Sequence, residues 1–222
     1  CKELNKVIYD TRILDILKEC LDSETLYYFG DSSMSYNSEG NGYHKDSRDR
    51  KNKNSPEFKD LNYSLLRYGI YLQDHSKHSR GLSLRSKSHL MSSVFKGKKI
   101  NVETEVGDLV IWKLTTTHSG NAERISFLPK LVFNPYVTRL FPDFIKQKSI
   151  NPRIVFFVCF GLNDNYSKRY IDYLKNRKYA WERWKNSEYD QKVIDILKNK
   201  GVTVYKPLQK ELDDIDEKEL NE

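Results

Sequence analysis

The sequence predicts a mainly β fold with flanking helices, whose core is a double-stranded β-helix (a jelly roll). Three observations lead to this prediction. Short apolar runs separated by turn-forming residues recur between residues 26 and 160, amphipathic helical patterns are confined to the two ends, and no helix alternates with the strands. Strands that follow one another without intervening helices favour a sandwich or a barrel over βαβ units.

A single domain is expected for a chain of 222 residues. We place an N-terminal helix in residues 1–25, the jelly-roll core in residues 26–162, and a C-terminal helical region with an acidic tail in residues 163–222. Residues 121–152 are expected to form an insertion in this core. The insertion can form a lid or a wall on the substrate side, and its aromatic residues can either pack on the barrel or contact the substrate.

The first part of the chain is predicted to contain a helix, two strands and a loop. Apolar residues at helical spacing predict an amphipathic helix over residues 4–21. Residues 26–29 are typical of a short strand ended by a Gly-Asp turn, and the polar residues 32–42 lead into a second strand at His44. The charged and turn-prone residues 47–60 predict an exposed loop.

The rest of the core is predicted from further apolar runs. They lie at residues 65–72, 81–85, 109–112 and 154–160. The last of these is the most apolar and should be a central strand. Residues 166–184 predict a helix, and residues 193–197 predict another that ends before Gly201. The acidic residues 211–222 are expected to be frayed.

The composition limits the kinds of binding partner and the cellular compartment that we expect for this protein. The net charge of +7 favours anionic partners, but the basic residues are scattered and no nucleic-acid-binding module is recognisable, so we do not expect a nucleic-acid partner. Three widely spaced cysteines form neither a disulfide framework nor a zinc motif, which fits a reducing cytoplasm. No apolar run is long enough to span a membrane. The chain begins at Cys1 rather than Met, and the sequence leaves open whether it is a piece of a longer protein.

His44 and Asp46 stand two residues apart in a predicted strand. Side chains at positions i and i+2 of a strand project from the same face, so the imidazole and the carboxylate can point at one atom. A second imidazole from elsewhere in the chain would complete the two-His-one-carboxylate triad, which suits Fe(II) and leaves coordination positions open. The alternative interpretation is a pair of solvated loop residues.

His118 is the candidate for the second imidazole of such a triad. Gly107-Asp108 is a turn signal, a predicted strand follows it, and His118 falls near the start of the next strand. Distant strands of a jelly roll meet across its core, so His118 can join His44 and Asp46.

Arg153 stands at the head of the most apolar strand. Alternation places Arg153, Val155 and Phe157 on one face of that strand. A guanidinium is costly to bury without a partner, and a carboxylate of 2-oxoglutarate would supply a bidentate one. The alternative is an exposed arginine at the entry to the strand.

Three segments together resemble the phytanoyl-CoA dioxygenase family of Fe(II)- and 2-oxoglutarate-dependent oxygenases. They are Tyr43-His44-Lys45-Asp46, the hairpin from Tyr68 through Arg80-Gly81 to His89, and the segment from Gly107-Asp108 to His118-Ser119-Gly120. The hairpin carries Ser86-Lys87 where the family usually has Pro-Gly. The resemblance covers roughly residues 27–160 and implies a cupin-like jelly roll with one iron site.

The resemblance implies both an iron site and a reaction. His44, Asp46 and His118 would bind Fe(II), which 2-oxoglutarate would chelate through its 1-carboxylate and 2-oxo group. Because the carboxylate is retained at Asp46, the implied reaction is hydroxylation rather than halogenation. The cosubstrates 2-oxoglutarate and O₂ would yield succinate and CO₂ while a small or carrier-linked organic substrate is hydroxylated, and the net charge favours an anionic one.

The resemblance also implies a site for the cosubstrate. Arg153 would clamp the 5-carboxylate of 2-oxoglutarate, helped by Ser119 or Gly120, and Tyr68 would line the pocket. Arg124 is the rival clamp, because Arg153 follows the distal histidine at a longer interval than is usual in the family.

The remaining histidines are given no ligand role. His89 matches the hairpin histidine of the family and is expected to be structural, whereas His75 and His78 lie in a polar turn and are expected to be solvated. Two alternative functions stay open, a jelly-roll binding domain without turnover and a nucleic-acid-modifying oxygenase. The identity of the substrate and the oligomeric state are not readable from the sequence.

Overall fold

The computed structural model describes residues 2–37, 42–47, 52–75, 79–138, 140–147, 152–186, 190–207, 211–212 and 220. In these ranges the strands are β1 (Leu26–Tyr36), β2 (Leu66–Tyr71), β3 (Gly81–Ser86), β4 (Lys98–Val102), β5 (Leu109–Lys113), β6 (His118–Ala122), β7 (Arg124–Ile125), β8 (Leu128–Val132), β9 (Ile154–Gly161) and β10 (Val202–Val204). The α-helices are α1 (Lys6–Tyr9), α2 (Thr11–Leu21), α3 (Pro135–Thr138), α4 (Asn165–Lys175), α5 (Lys178–Asn186) and α6 (Gln191–Asn199). Short 3-10 turns lie at Lys2–Asn5, Pro56–Phe58, Ser88–Leu90 and Asp143–Ile145.

Two sheets form the core of the fold. The larger sheet has the strand order β10-β1-β9-β2-β5, and the smaller one has the order β4-β3-β6. His44 extends the smaller sheet through an antiparallel bridge to His118, the first residue of β6. Along the chain the strands pass back and forth between the two sheets, which is the order of a jelly roll. The predicted fold class, mainly β with flanking helices, is confirmed, although the described sheets are not closed into a barrel.

The chain divides into two compact units. The first comprises Cys1–Ser32, Asn62–Leu66 and Val158–Glu222, and the second comprises Ser33–Leu61 and Arg67–Phe157. The strands β1 and β9 contribute residues to both units. The expectation of a single domain with the boundaries given above remains a prediction.

An apolar cluster from four strands fills the interior of the second unit. Tyr71 of β2, Leu82 of β3, Trp112 of β5 and Val155 of β9 are buried together. Phe157 packs against the same cluster, so Val155 and Phe157 share a face as the alternation predicted. Burial of each such side chain contributes about 1.5–3 kcal/mol to the free energy of unfolding.

The N-terminal helical region of the first unit is interrupted. The sequence predicted one helix over residues 4–21, but α1 ends at Tyr9 and α2 begins at Thr11. Asp10 between them has a non-helical backbone, with φ −59° and ψ 123°, and its carboxylate accepts a hydrogen bond from the Arg12 amide at 3.0 Å. Such an N-cap stabilises the start of a helix by about 1 kcal/mol, which explains why the chain breaks here.

Strand β1 is longer than predicted, because it continues past Gly30 to Tyr36. The polar middle of the strand is held by long-range contacts within the first unit. The carboxylate of Asp31 accepts hydrogen bonds from the hydroxyl of Tyr170 at 2.8 Å and from the guanidinium of Arg183 at 3.0 Å. These partners stand 139 and 152 residues away along the chain, so the local pattern could not indicate them.

The C-terminal region is helical as predicted, but the predicted helix over residues 166–184 consists of α4 and α5. Helix α6 ends before Gly201, whose φ of +76° fits the left-handed position after a helix. Leu212 is buried, and its carbonyl accepts a hydrogen bond from the indole of Trp181 at 3.0 Å. Most of the tail that was predicted to be frayed lies outside the described residues. No helix in the described ranges is both long and apolar enough to cross a bilayer.

The predicted insertion and the predicted exposed loop both carry local structure. Within residues 121–152, β7 and β8 form a two-stranded ribbon and α3 follows them. The loop over residues 47–60 is less exposed than predicted, because Ser55, Glu57 and Phe58 are buried around a 3-10 turn. Residues 48–51 lie outside the described residues.

Candidate metal centre

His44 and His118 are direct cross-strand partners. The amide of His44 donates to the carbonyl of His118 at 3.0 Å, and the amide of His118 donates to the carbonyl of His44 at 2.9 Å. A doubly bonded antiparallel pair of this kind places both side chains on one face of the sheet. The centroids of the two imidazole rings are accordingly 4.4 Å apart.

Asp46 lies two residues after His44 in the chain and joins this pair. Its amide donates to the carbonyl of Leu114 at 3.1 Å, which holds the segment extended beside the end of β5. Its carboxylate has Oδ1 3.7 Å from Nε2 of His44 and Oδ2 3.3 Å from Nε2 of His118. One candidate ligand atom from each of the three residues lies within 4.8 Å of the others. The structure therefore brings the three predicted metal-binding side chains together.

Backbone carbonyls hold the Nδ1 atoms of both imidazoles. Nδ1 of His44 lies 2.8 Å from the carbonyl oxygen of Gly42, and Nδ1 of His118 lies 3.0 Å from that of Thr116. A carbonyl can only accept, so Nδ1 is the protonated nitrogen in each ring and Nε2 carries the lone pair. Both lone pairs are thus turned toward Asp46, as is common for metal-binding histidines oriented by backbone contacts.

This set of donor atoms fits a divalent transition metal. In neutral rings protonated at Nδ1, two Nε2 lone pairs face a carboxylate at 3.3 and 3.7 Å, and a cation between them would remove the repulsion among these acceptors. Two imidazoles and one carboxylate are the ligands of non-haem Fe(II) sites, which keep coordination positions open for other ligands. The side chain of His118 is only 8% exposed, so part of the site is shielded from water.

Arg67 of β2 supports the carboxylate, and sequence reasoning missed it. Its Nη1 atom lies 2.7 Å from Oδ2 of Asp46. Burial would raise the pKa of Asp46, but the charge of the adjacent Arg67 opposes this effect, and the pKa of Asp46 lies well below its usual range. Burial, together with the neighbouring His118, lowers the pKa of His44. An ionised carboxylate and a neutral imidazole are the states in which these groups bind a metal.

Two aromatic residues with unpaired polar atoms line the interior beside the triad. The ring centroid of Trp112 lies 5.4 Å from that of His118, and Tyr71 belongs to the same buried cluster as Trp112. Among the described residues, the indole Nε1 of Trp112 and the hydroxyl of Tyr71 are buried and have no hydrogen-bond partner. A buried polar group without a partner costs about 1–3 kcal/mol, so both groups are suited to a polar ligand.

Arg153 lies at the entry to β9 and is only 4% exposed. Its Nε donates to the carbonyl of Arg80 at 3.0 Å, and its Nη1 lies 3.4 Å from the hydroxyl of Ser35. Burial lowers the pKa of Arg153, whereas the phenol of Tyr71 raises it. Tyr71 is therefore close enough to Arg153 to influence its guanidinium electrostatically.

Gly120 leaves space for the guanidinium of Arg153. A Cβ atom on residue 120 would lie 2.8 Å from Nη2 of Arg153. Gly120 follows His118 by two residues, so their Cα atoms are at most about 7 Å apart. The backbone beside the guanidinium is thus close to the backbone that carries His118.

Ser119 and Tyr68, two residues predicted to bind the cosubstrate, do not lie on the face of the triad. Ser119 follows His118 in β6, and Tyr68 follows Arg67 in β2. Neighbouring residues of a strand project from opposite faces, and both of these residues are fully buried on the other face. Gly120 lies against the guanidinium of Arg153, and Tyr71 influences it electrostatically.

Arg124, the rival clamp, binds a carboxylate of the chain itself. Its Nη2 lies 2.8 Å from Oε1 of Glu103, and its amide donates to the hydroxyl of Ser79 at 2.9 Å. A cosubstrate would have to compete with Glu103 for this guanidinium.

The two other described histidines, His75 and His89, are not part of this group of three. The prediction that His75 is solvated was wrong, because His75 is 1% exposed and its Nδ1 lies 2.7 Å from the hydroxyl of Thr104. That contact joins residues 29 apart along the chain and is not visible in the polar turn itself. His89 is half-buried in the 3-10 turn after β3, and burial lowers its pKa. His78 lies outside the described residues.

No family model and no curated protein matches this sequence. Solved structures that align with part of the chain include the non-heme monooxygenase ThoJ in complex with Ni (13% identity, TM-score 0.44), the non-heme alpha ketoglutarate dependent epimerase SnoN from nogalamycin biosynthesis (12%, 0.49), and EctD from S. alaskensis with 2-oxoglutarate and 5-hydroxyectoine (11%, 0.44). The alignments cover 68%, 73% and 71% of this chain and 49%, 57% and 51% of those chains, respectively. The chain thus spans about half the length of these proteins. Proteins this distant can differ in function, so the likeness bears on neither substrate nor chemistry.

Proposed function

We propose that this protein is an Fe(II)- and 2-oxoglutarate-dependent oxygenase. It would hydroxylate a small or carrier-linked organic substrate while 2-oxoglutarate and O₂ yield succinate and CO₂. The observation that carries the proposal is the convergence of His44, Asp46 and His118, with two Nε2 lone pairs and one carboxylate turned to a common point. The retained carboxylate supports hydroxylation, because it occupies the place that a halide would need.

The residues around the triad would prepare it for the metal. His44, His118 and Asp46 would hold Fe(II), which supplies the redox chemistry that activates O₂ when it is bound. Arg67 keeps the carboxylate of Asp46 ionised and fixes its Oδ2 atom, so that Oδ1 is left for the metal. The carbonyls of the neighbouring backbone fix the tautomers of both histidines, so no rearrangement of the rings is needed on binding.

A second group of residues would bind 2-oxoglutarate. The guanidinium of Arg153 and the hydroxyl of Tyr71 would bind the 5-carboxylate, and the absence of a side chain at Gly120 makes room for the guanidinium. The indole of Trp112 would donate to an oxygen of the cosubstrate nearer the metal. This arrangement would give a partner to both buried groups that otherwise lack one. The apolar cluster around them would keep water out.

The proposal is tested by the formation of succinate from 2-oxoglutarate in the presence of Fe(II) and ascorbate. Wild type is expected to form succinate even without a primary substrate, and His118→Ala and Asp46→Ala are expected to lose about 100-fold or more, since even residues around a metal ligand cost 10–100-fold. His89→Ala is the matched control, because it removes an imidazole outside the triad, and it should stay within about twofold of wild type. Absence of bound iron and of succinate in wild type, or full activity in His118→Ala, would overturn the proposal.

A further inference from the structure

Tyr136 of α3 packs against the backbone that carries the metal ligand His44. Its hydroxyl donates to the carbonyl of Tyr43 at 3.0 Å, and the rings of the two tyrosines meet edge to face with centroids 6.5 Å apart. Tyr136 belongs to the segment over residues 121–152, for which sequence reasoning left open either packing on the barrel or a place beside the substrate.

Gly42 lies directly under the ring of Tyr136. A Cβ atom on residue 42 would lie 2.9 Å from Cζ of Tyr136 and closer still to Cε1, so only a glycine allows the ring to come this near. The carbonyl of Gly42 is the group that accepts the hydrogen bond from Nδ1 of His44 at 2.8 Å. Tyr136 therefore touches the same residue that sets the tautomer and the direction of the His44 ring.

The side chain of Tyr43 is fixed independently of Tyr136. The hydroxyl of Tyr43 lies 2.7 Å from that of Ser83 in β3, and the guanidinium of Arg85 lies 4.4 Å from its ring centroid. These contacts anchor Tyr43 to the smaller sheet, but they leave Gly42 on its N-terminal side to be held by other groups. Tyr136 is 40% exposed and is not part of the buried core. Its ring also lies near that of Phe95, with centroids 6.0 Å apart, so its position is held from a second side.

We propose that Tyr136 is a positioning residue for the metal centre. Its ring and hydroxyl hold Gly42 and Tyr43 so that the Gly42 carbonyl stays on Nδ1 of His44 and Nε2 faces Asp46. The inference rests on the proposed function, because it requires a metal at the triad. Tyr136 acts through the backbone and not on the reacting atoms, so its effect is expected first in metal affinity.

The test is the affinity of the metal-free protein for Co(II), followed by titration calorimetry and by the visible absorption of the bound ion. Tyr136→Ala should bind Co(II) about 10–100-fold more weakly than wild type, the loss that is typical when a group orienting a metal ligand is removed. Tyr136→Phe keeps the ring and loses one hydrogen bond, so a loss of about fivefold is expected. Phe144→Ala is the matched control, because this aromatic residue of the same segment is 82% exposed, and its affinity should stay within about twofold.

A second pair of variants tests the contact itself. Gly42→Ala should weaken Co(II) binding about 10–100-fold, because the methyl group displaces the ring of Tyr136. In the double variant Gly42→Ala/Tyr136→Ala the methyl group has no ring to displace, so binding should be no weaker than in Tyr136→Ala alone. Losses that simply add in the double variant would overturn the proposal.

The outcomes separate this inference from the proposed function. Equal Co(II) affinity in wild type, Tyr136→Ala and Gly42→Ala overturns the positioning role and leaves the oxygenase proposal standing. Weaker binding in both variants, in a wild type that binds Co(II) but forms no succinate with Fe(II), supports the positioning role and overturns the oxygenase. A wild type that binds no metal overturns both. Near-ultraviolet circular dichroism checks that each variant is folded. If Tyr136→Ala is not folded, the Co(II) affinity of Tyr136→Phe tests the positioning role instead.

Discussion

Tyr71 carries a hydroxyl that the folded chain buries without a hydrogen bond. Burial raises the pKa of this phenol, so it remains a protonated donor at neutral pH. Tyr71→Phe removes an unsatisfied polar group, so we expect the free energy of unfolding to rise by up to about 1 kcal/mol. If the hydroxyl binds the cosubstrate, the KM for 2-oxoglutarate should rise about fivefold in the same variant. Thermal unfolding and succinate formation at varied 2-oxoglutarate measure the two effects, and an unchanged KM would argue against this role.

Arg153 and Arg124 differ in the partners that the structure gives them. Arg153→Ala should raise the KM for 2-oxoglutarate about 10–100-fold, since a hydrogen bond to a charged group contributes about 1.5–3 kcal/mol. Arg124→Ala breaks the pair with Glu103 and should leave this KM within about twofold. Initial rates of both variants at varied 2-oxoglutarate decide between them. The opposite result would move the carboxylate site to Arg124.

Residues differ in how far the sequence reveals their role. The convergence of His44, Asp46 and His118 could be predicted because it depends on local features, a spacing of two and a position at a strand entry. Arg67 carries the same signal as Arg153, a charge within an apolar run, but its partner Asp46 stands 21 residues away. Tyr136 gives no signal at all, because its contact with Tyr43 joins residues 93 apart.

Strand β6 carries the candidate metal ligand His118 and, two residues further on, Gly120 beside the guanidinium of Arg153. Its register against β3 shifts between the pairs Ser83–Ser119 and Gly81–Ala122, so β6 has an extra residue at this point. Gly120→Ala would place a Cβ atom 2.8 Å from Nη2 of Arg153 and should push the guanidinium away.

We therefore expect Gly120→Ala to raise the KM for 2-oxoglutarate about tenfold while Co(II) affinity stays near that of wild type. Ser119→Ala is the neighbouring control, because its side chain lies on the other face of β6 and the KM should not change. Steady-state kinetics and Co(II) titration measure the two quantities. A raised KM in Ser119→Ala and none in Gly120→Ala would contradict this account of β6 and return the cosubstrate contact to Ser119.

Strands and helices could be predicted where apolar residues repeat at regular spacing. They could not be predicted where polar residues are held by contacts with residues far away along the chain. The runs that become β2, β3, β5 and β9 indicate these strands correctly. The polar half of β1 could not be predicted because Asp31 is held by residues near the other end of the chain. The break between α1 and α2 had a local signal, since Asp10 is a good N-cap two residues before Arg12.

At the scale of the whole molecule, the order of strands predicted a jelly roll, but the division into two compact units had no signal in the sequence. The strands β1 and β9 are continuous through both units, so we expect one cooperative unfolding transition. Co(II) at 100 times its dissociation constant should then stabilise the fold by about 2.7 kcal/mol.

Calorimetric unfolding with and without Co(II) tests this expectation, with His118→Ala as the control that should show no shift. Two transitions, only one of which moves with the metal, would show that the units unfold separately. The prediction of a single domain would then be wrong.

Two reciprocal backbone hydrogen bonds join His44 to His118. The two candidate ligands thus form one hydrogen-bonded rung that extends the smaller sheet. A slip of β6 by one residue would turn Ser119 toward Asp46 and remove the site, so the pairing of the strands and the ability to hold a metal are one property. The amide hydrogens of these two residues exchange with solvent only when the rung opens. A metal bound to both rings would keep the rung closed and slow that exchange about 100-fold at a metal concentration 100 times the dissociation constant. Two backbone amides would thereby report whether the centre is loaded, without any turnover.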